Sequence, residues 1–126
     1  TFVMSYVLRG LIPDGGGMYF LPRRVGLARA KELIFSGRMI SAEDAQAFNM
    51  IEQVSEPDAL LEDALAMANS MSMGSADALA LAKSIMNESF EKTTEEIFAL
   101  GSQAQAICYT TDSHRDAVSA FLDRRK

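Results

Sequence analysis

Tryptophan is absent from this sequence, and cysteine and histidine occur once each, as Cys108 and His114. One thiol cannot close an internal disulfide, and it cannot supply a CxxC redox pair or a cysteine-rich zinc site. A lone histidine is a poor basis for a metal centre, so no metal is expected. His114 lies near an expected helix start and reads as a surface residue. Cys108 falls on the apolar stripe of a helix and reads as a buried, unreactive thiol. Long hydrophobic runs are missing too. No stretch approaches the roughly 20 residues of a membrane span, and Thr1-Phe2-Val3-Met4 lacks the basic start and apolar core of a signal peptide. Positive charge is in deficit: 17 acids against 12 bases give a formal charge of −5. That balance argues against general affinity for a nucleic-acid backbone or an anionic membrane surface. The expected setting is reducing and cytoplasmic.

What remains is ordinary globular material. With 126 residues, 48% of them hydrophobic, the chain is long enough for one compact domain with its own core. It opens without an initiator methionine, on an apolar segment, FVMSYVL, that has no partner within itself. This suggests the interior of a longer protein.

Helix signals dominate the pattern. Met18 to Val25 predicts a short helix ended by Gly26, with Pro22 tolerable only in its first turn or as a kink. Ala28 to Phe35 predicts a second, stopped at Ser36-Gly37. Arg38-Met39-Ile40 reads as a brief extended link. Ser41 with Asp44 three residues on marks another helix start, running to about Phe48, with Asn49 as a left-handed terminator. Met50-Ile51-Glu52-Gln53-Val54 is the best strand candidate. Beyond Pro57, Leu60, Leu61, Ala64, Leu65, Ala68 and Met71 recur at helical spacing, with Glu62 and Asp63 outward. Ser75 opens a helix whose stripe is Leu79, Ala82, Ile85 and Met86. Thr93-Thr94-Glu95-Glu96 is a capping box ahead of Ile97, Leu100, Ala104, Ile107 and Cys108. A last helix from about Ser113 is expected to bury Ala117, Val118, Phe121 and Leu122, ending in the cations Arg124-Arg125-Lys126.

One stretch stands apart. In GLIPDGGGMYFLPRRVG, Gly10 to Gly26, the acid Asp14 sits between a proline and three glycines. An aspartate just before a helix can accept backbone N–H bonds and favour the positive end of the dipole. Three glycines exceed what a cap needs, and they permit close approach of another group to the backbone. A phosphate loop is disfavoured, because neither the Lys-Ser/Thr ending nor a preceding strand is present. Capping and proton transfer both remain open for Asp14.

The order of segments carries more. GLIPDGGG followed by LPRRVG, then ARAKELIFSGRMISAEDAQAFNMIEQV, and finally TDSHRDAVSAFLDRRK, resembles the carboxyl-terminal part of the enoyl-CoA hydratase/isomerase (crotonase) family over essentially the whole chain. Among its members, the enoyl-CoA isomerases of phenylacetyl-CoA breakdown look most similar. The resemblance implies a mainly α chain forming the carboxyl-terminal helical portion of an α/β crotonase spiral fold. Residues 1–56 would end the core and carry the active-site turn, and residues 57–126 would form a helical oligomerisation region.

The resemblance also implies chemistry. Family members bind an acyl-CoA thioester as substrate, need no separate cofactor, and stabilise an enolate with two backbone N–H donors while carboxylates move protons. Family hydratases place a glutamate where this chain has Tyr6 and a small residue at the Asp14 position; family isomerases place an acid there. Moving a double bond needs one base that lifts a proton and returns it nearby, so a single carboxylate suffices. Burial beside Tyr6 would tune that carboxylate upward. Dehalogenase members use an aspartate here as nucleophile beside a tryptophan, so Tyr6 counts against that alternative. Asp14 is therefore the implied catalytic residue, with Ser5, Tyr6, Arg9, Gly10 and Pro13 around the acyl group and Phe121 and Arg124 meeting the coenzyme. The expected activity is an enoyl-CoA isomerase of fatty-acid metabolism, with a lyase-type hydratase as alternative. A non-catalytic helical oligomerisation module is the reading from another class. The family's oxyanion donors would precede Thr1, so this chain by itself is expected to be inactive. Trimers or dimers of trimers are the implied assembly.

Overall fold

In a computed structural model of the chain, which describes residues 1–124, helices make up most of the molecule, as the mainly α expectation required. Arg125 and Lys126 of the expected basic terminus lie outside the described residues. The chain divides into two compact units rather than one, the first spanning Thr1–Leu60 and the second beginning at Leu61.

The first unit begins with strand β1 (Phe2–Val3), a short 3-10 helix (Ser5–Arg9), and helices α1 (Gly17–Val25) and α2 (Leu27–Ser36). Strand β2 (Met39–Ile40) and helix α3 (Ala42–Ala47) follow. β1 and β2 pair antiparallel, with Phe2 opposite Ile40 and Val3 opposite Met39. The opening apolar segment thus has a partner within the chain, and Met39-Ile40 is a strand rather than a link. Pro22 lies inside α1, beyond its first turn. Its missing N–H removes one helical hydrogen bond at that point. α2 ends on Gly37 in the left-handed region, whose N–H returns to the Leu33 carbonyl. Ser41 caps α3 by accepting the Asp44 N–H at 3.0 Å, and Asn49 takes a positive φ of 59° just beyond it.

Met50 to Val54 does not form a strand. Its backbone groups are used elsewhere. The Met50 and Ile51 N–H groups close the end of α3 on the Ala45 carbonyl, the Met50 carbonyl accepts from Arg24, and the Glu52 carbonyl accepts from Gln46. A strand needs those donors and acceptors free for a neighbouring strand.

Among the described residues, Leu21, Ala30, Leu33, Ile40 and Ala45 are buried aliphatic side chains. Leu33, Ile40 and Ala45 form a cluster, with Phe2, Phe48, Met50 and Ile51 packed against it. Burying a side chain the size of leucine or isoleucine stabilises by about 1.5–3 kcal/mol. Ion pairs on the rim add little at their exposure. In one, Arg38 grips Glu32 through two nitrogens, at 2.6 and 3.1 Å, and this holds the Glu32 carboxyl below its usual range.

α4 (Leu60–Met71) crosses the boundary, and α5 (Ala76–Glu88), α6 (Thr94–Tyr109) and α7 (Asp112–Asp123) make the rest of the second unit. α5 packs on α6, and α6 on α7. All three start at hydroxyl caps: Ser75, Thr93 and Thr111 accept from Ala78, Glu96 and His114. Thr93 and Glu96 complete the expected capping box. α7 opens slightly earlier than Ser113. The expected apolar stripes exist, but none of their described residues is fully buried. Leu61 is 72% exposed and Phe121 57%. Ala117, Val118, Phe121 and Leu122 are exposed rather than buried.

Two substitutions test this division of labour. Leu33→Ala should cost about 2–5 kcal/mol through the cavity it leaves. Thr93→Ala should cost about 1 kcal/mol through the lost cap, with Thr93→Ser close to wild type. Urea unfolding followed by circular dichroism measures both; equal losses for the two alanine variants would contradict a core confined to the first unit.

Candidate active-site turn

The segment from Ser5 to Gly17 is a backbone device. The 3-10 helix Ser5–Arg9 is reversed by Gly10, which sits at φ 70° and returns its N–H to the Tyr6 and Val7 carbonyls. Leu11 N–H also bonds the Tyr6 carbonyl, at 3.0 Å. The chain is therefore tied back onto Tyr6 before it reaches Asp14. Pro13 is buried, and its Cβ lies 3.1 Å from where a Cβ on Gly17 would stand. Asp14 follows at the exposed tip.

Helix α1 does not use the Asp14 side chain as its cap. Its N-cap is Gly16, at φ 85°, without a side-chain cap bond. The Asp14 carbonyl accepts the Gly17 N–H at 2.9 Å, and the Gly16 carbonyl accepts from Tyr19 and Phe20. Phe20 folds back over Gly16 so closely that a Cβ there would stand 2.7 Å from its ring. Glycine is thus required at position 16 twice, for its left-handed backbone and for the space the ring occupies. The sequence reading did not single out Phe20. The only local signal is its spacing of four from Gly16, which is one helical turn.

Asp14 acts electrostatically on Tyr6. A hydrogen bond to Asp14, reinforced by its negative charge and by partial burial, raises the Tyr6 hydroxyl above the ordinary tyrosine range. Tyr6 is half-buried. Arg9, one turn along, is exposed and donates to the Ser5 Oγ at 2.6 Å. Ser5, Tyr6, Arg9, Gly10, Pro13 and Asp14 are thus one contiguous structure, as a run so close in sequence must be. A small apolar recess of about 130 Å³ lies elsewhere in the same unit, lined by Phe2, Val3, Met4, Leu33, Arg38, Ile40 and Met50. Neither Tyr6 nor Asp14 borders it.

Phe121 and Arg124 belong to the second unit. Phe121 is on the exposed side of α7, and Arg124 is its C-cap residue, also exposed. His114 is half-buried rather than on the open surface, its ring edge-on to Tyr109 at 5.1 Å. Cys108 is half-buried, not fully buried. Both border an open recess shared with Ser75, Thr111, Ser113 and Asp116. Among the described residues, no group of three or more histidine, cysteine, aspartate or glutamate side chains is placed to hold a metal ion. No helix among them is long and apolar enough to cross a membrane.

Comparison with known proteins places this turn in context. The family model for enoyl-CoA hydratase/isomerase matches residues 1–126. The chain is 36% identical over 124 residues to a 1,2-epoxyphenylacetyl-CoA isomerase of Escherichia coli, covering 98% of this chain and 47% of that protein. It is 32% identical over 117 residues to a short-chain-enoyl-CoA hydratase of Clostridium acetobutylicum, covering 93% and 45%. Among solved structures, an enoyl-CoA hydratase/isomerase from Cupriavidus metallidurans superposes with a TM-score of 0.91 at 40% identity, over 98% of this chain and 46% of that one. The chain therefore spans just under half the length of the relatives it matches.

The Tyr6–Asp14 contact has its own signature. A phenol raised in the folded state contributes stability that is present at neutral pH and lost only as pH rises through the raised value, above the ordinary tyrosine range. In Asp14→Asn the hydrogen-bonded charge is gone, so Tyr6 should ionise at lower pH than in wild type. Carbon-13 NMR of ring-labelled tyrosine reads this directly, with Tyr19→Phe and Tyr109→Phe to assign the resonance. An unchanged Tyr6 titration in Asp14→Asn would remove the contact.

Proposed function

The chain belongs to the enoyl-CoA hydratase/isomerase family, and from that premise we propose that it carries the proton-transfer base of an enoyl-CoA isomerase, Asp14. The observation that supports this reading is the state of its carboxylate. It stands exposed on a glycine-bounded tip and is not spent on capping α1. Such a group is available to lift a proton from the acidic carbon next to a thioester carbonyl and return it two carbons away. The bond that breaks is C–H, its electron pair moves into the enolate, and the same carboxylic acid returns the proton at the far carbon as the double bond shifts. No net oxidation occurs.

The enolate oxygen needs its own stabilisation, worth several kcal/mol in sites that offer two preorganised N–H donors. Those donors, and most of the coenzyme site, are assigned by the family resemblance to the part of the relatives' length that this chain does not span. Activity of the whole protein, acyl-CoA as its substrate and assembly as trimers or dimers of trimers are part of the same proposal. So is a cytoplasmic role in fatty-acid metabolism. Ser5, Arg9, Gly10 and Pro13 are assigned to the walls around the acyl group, Phe121 and Arg124 to the coenzyme.

Hydration is the second reading, favoured by the hydratase name of the Clostridium acetobutylicum relative. It needs a water held between an acid and a base. A phenol in place of a second carboxylate at position 6 weakens that arrangement.

A panel of 2-enoyl- and 3-enoyl-CoA thioesters separates the readings, with double-bond migration and water addition followed by chromatography of the products. The full-length wild-type protein should migrate the double bond with little hydration, and Asp14→Asn in it should lower migration by about 100-fold or more. Migration retained in Asp14→Asn would take Asp14 out of the mechanism.

A further inference from the structure

Resting on the reading of Asp14 as the base, we infer that the apolar recess of the first unit seats the far end of the substrate's acyl chain, reached past Met4, so that the preferred acyl group is long or bulky rather than short. The recess measures about 130 Å³ and is lined by Phe2, Val3, Met4, Leu33, Ile40 and Met50. Arg38 borders it too, but its guanidinium is held by Glu32 at 2.6 and 3.1 Å. Leu33 and Ile40 are buried, and Phe2 and Met50 pack against them, so the inner wall of the recess is the core cluster itself. Water finds few hydrogen-bond partners in such a lining, whereas an apolar cavity of about 150 Å³ accepts benzene. A phenyl-sized group, or an alkyl end of similar bulk, matches it in size and chemistry.

Met4 joins this recess to the turn. It lines the recess, and its methyl carbon lies 3.8 Å from where a Cβ on Gly17 would stand, with the Pro13 Cβ 3.1 Å from the same point. Gly17 in turn donates its N–H to the Asp14 carbonyl at 2.9 Å. Asp14 and Gly17 are thus the two ends of one four-residue turn, with Cα atoms less than about 7 Å apart. Gly15 and Gly16 are its central residues, both at positive φ. The path from the residue that bears the base to the recess therefore crosses one side chain. Methionine suits that place, because an unbranched side chain with three rotatable bonds swings aside where a β-branched one is held. Glycine at position 17 suits it as well, since a Cβ there would crowd Pro13 and narrow the passage. With the thioester end of the substrate at Asp14, the hydrocarbon end is what remains to be taken out of water, and the recess is the apolar space behind the turn that receives it.

The consequence is a preference set by chain length. Each methylene buried should raise kcat/KM about fourfold until the recess is full. In the full-length protein, ten-carbon enoyl-CoA should therefore exceed four-carbon enoyl-CoA by about tenfold or more. Met50→Phe, which takes up space in the recess, should bring that ratio to within about twofold, and Met4→Ala, which widens the passage, should carry the preference to longer chains. A wild-type ratio near one, or an unchanged ratio in Met50→Phe, overturns the inference while leaving Asp14 as base. Activity retained in Asp14→Asn overturns the underlying reading instead. Should Met50→Phe fail to fold, Val3→Phe narrows the recess from its exposed rim, at a strand position that accepts an aromatic residue. A direct readout needs no variant. The methyl carbon-13 resonances of Met4 and Ile40 in the full-length protein should shift with saturated ten-carbon acyl-CoA and stay in place with the four-carbon one; shifts equal for both, or absent with both, overturn the inference.

Discussion

The local structure around Asp14 depends on a steric constraint, the left-handed backbone at Gly10, Gly15 and Gly16, with φ of 70°, 55° and 85°. A residue with a Cβ pays about 1–2 kcal/mol to adopt that region, so three side-chain-bearing residues here would cost more than a small unit of this size can spare. Glycine removes the cost and lets the chain double back on Tyr6, bury Pro13 and expose Asp14 within a few residues. At Gly16 the absent side chain also makes room for Phe20. Conformation, space and the availability of a carboxylate are therefore one requirement expressed at neighbouring positions.

The two units hold their helices in different ways. In the first, burial around Leu33, Ile40 and Ala45 fixes α2, β2 and α3 against β1. In the second, termini do more of the work. Ser75, Thr93 and Thr111 each accept a backbone N–H at a helix start, and the Thr93 N–H and hydroxyl hold the Glu96 carboxyl below its usual range. The hydroxyls of Ser75 and Ser113, 2.8 Å apart, tie the start of α5 to the start of α7. Capping needs only a few adjacent residues, which is why these helices are well formed although Leu61, Met86 and Phe98 remain largely exposed.

Family membership and this geometry constrain function from separate directions. In the proposed reaction, the family resemblance supplies the class of substrate and the need for an enolate. The turn supplies a carboxylate that does not cap α1. Tyr6 bears on both, since by the family resemblance it would stand where hydratases place an acid. In the proposed reading, a phenol there in place of a carboxylate leaves a single base at the turn.

By itself the sequence determined whatever is decided within a few residues. Hydroxyl caps, the Thr93–Glu96 box, the stops at Gly37 and Asn49, the mainly helical content and the singular position of Asp14 were all legible, because a helix satisfies its backbone internally and announces its ends. Tertiary structure alone decided the rest. Met39-Ile40 became a strand because Phe2-Val3 lay alongside, whereas Met50 to Val54, with the better strand composition, did not, its backbone being taken up by α3, Arg24 and Gln46. Periodicity marked which faces of α4 to α7 are apolar but not whether anything covers them. Whether Asp14 would cap α1 was likewise decided only by how the chain turned before the helix. Strand pairing, burial and side-chain partnership are properties of two segments at once, and neither segment encodes the other's position.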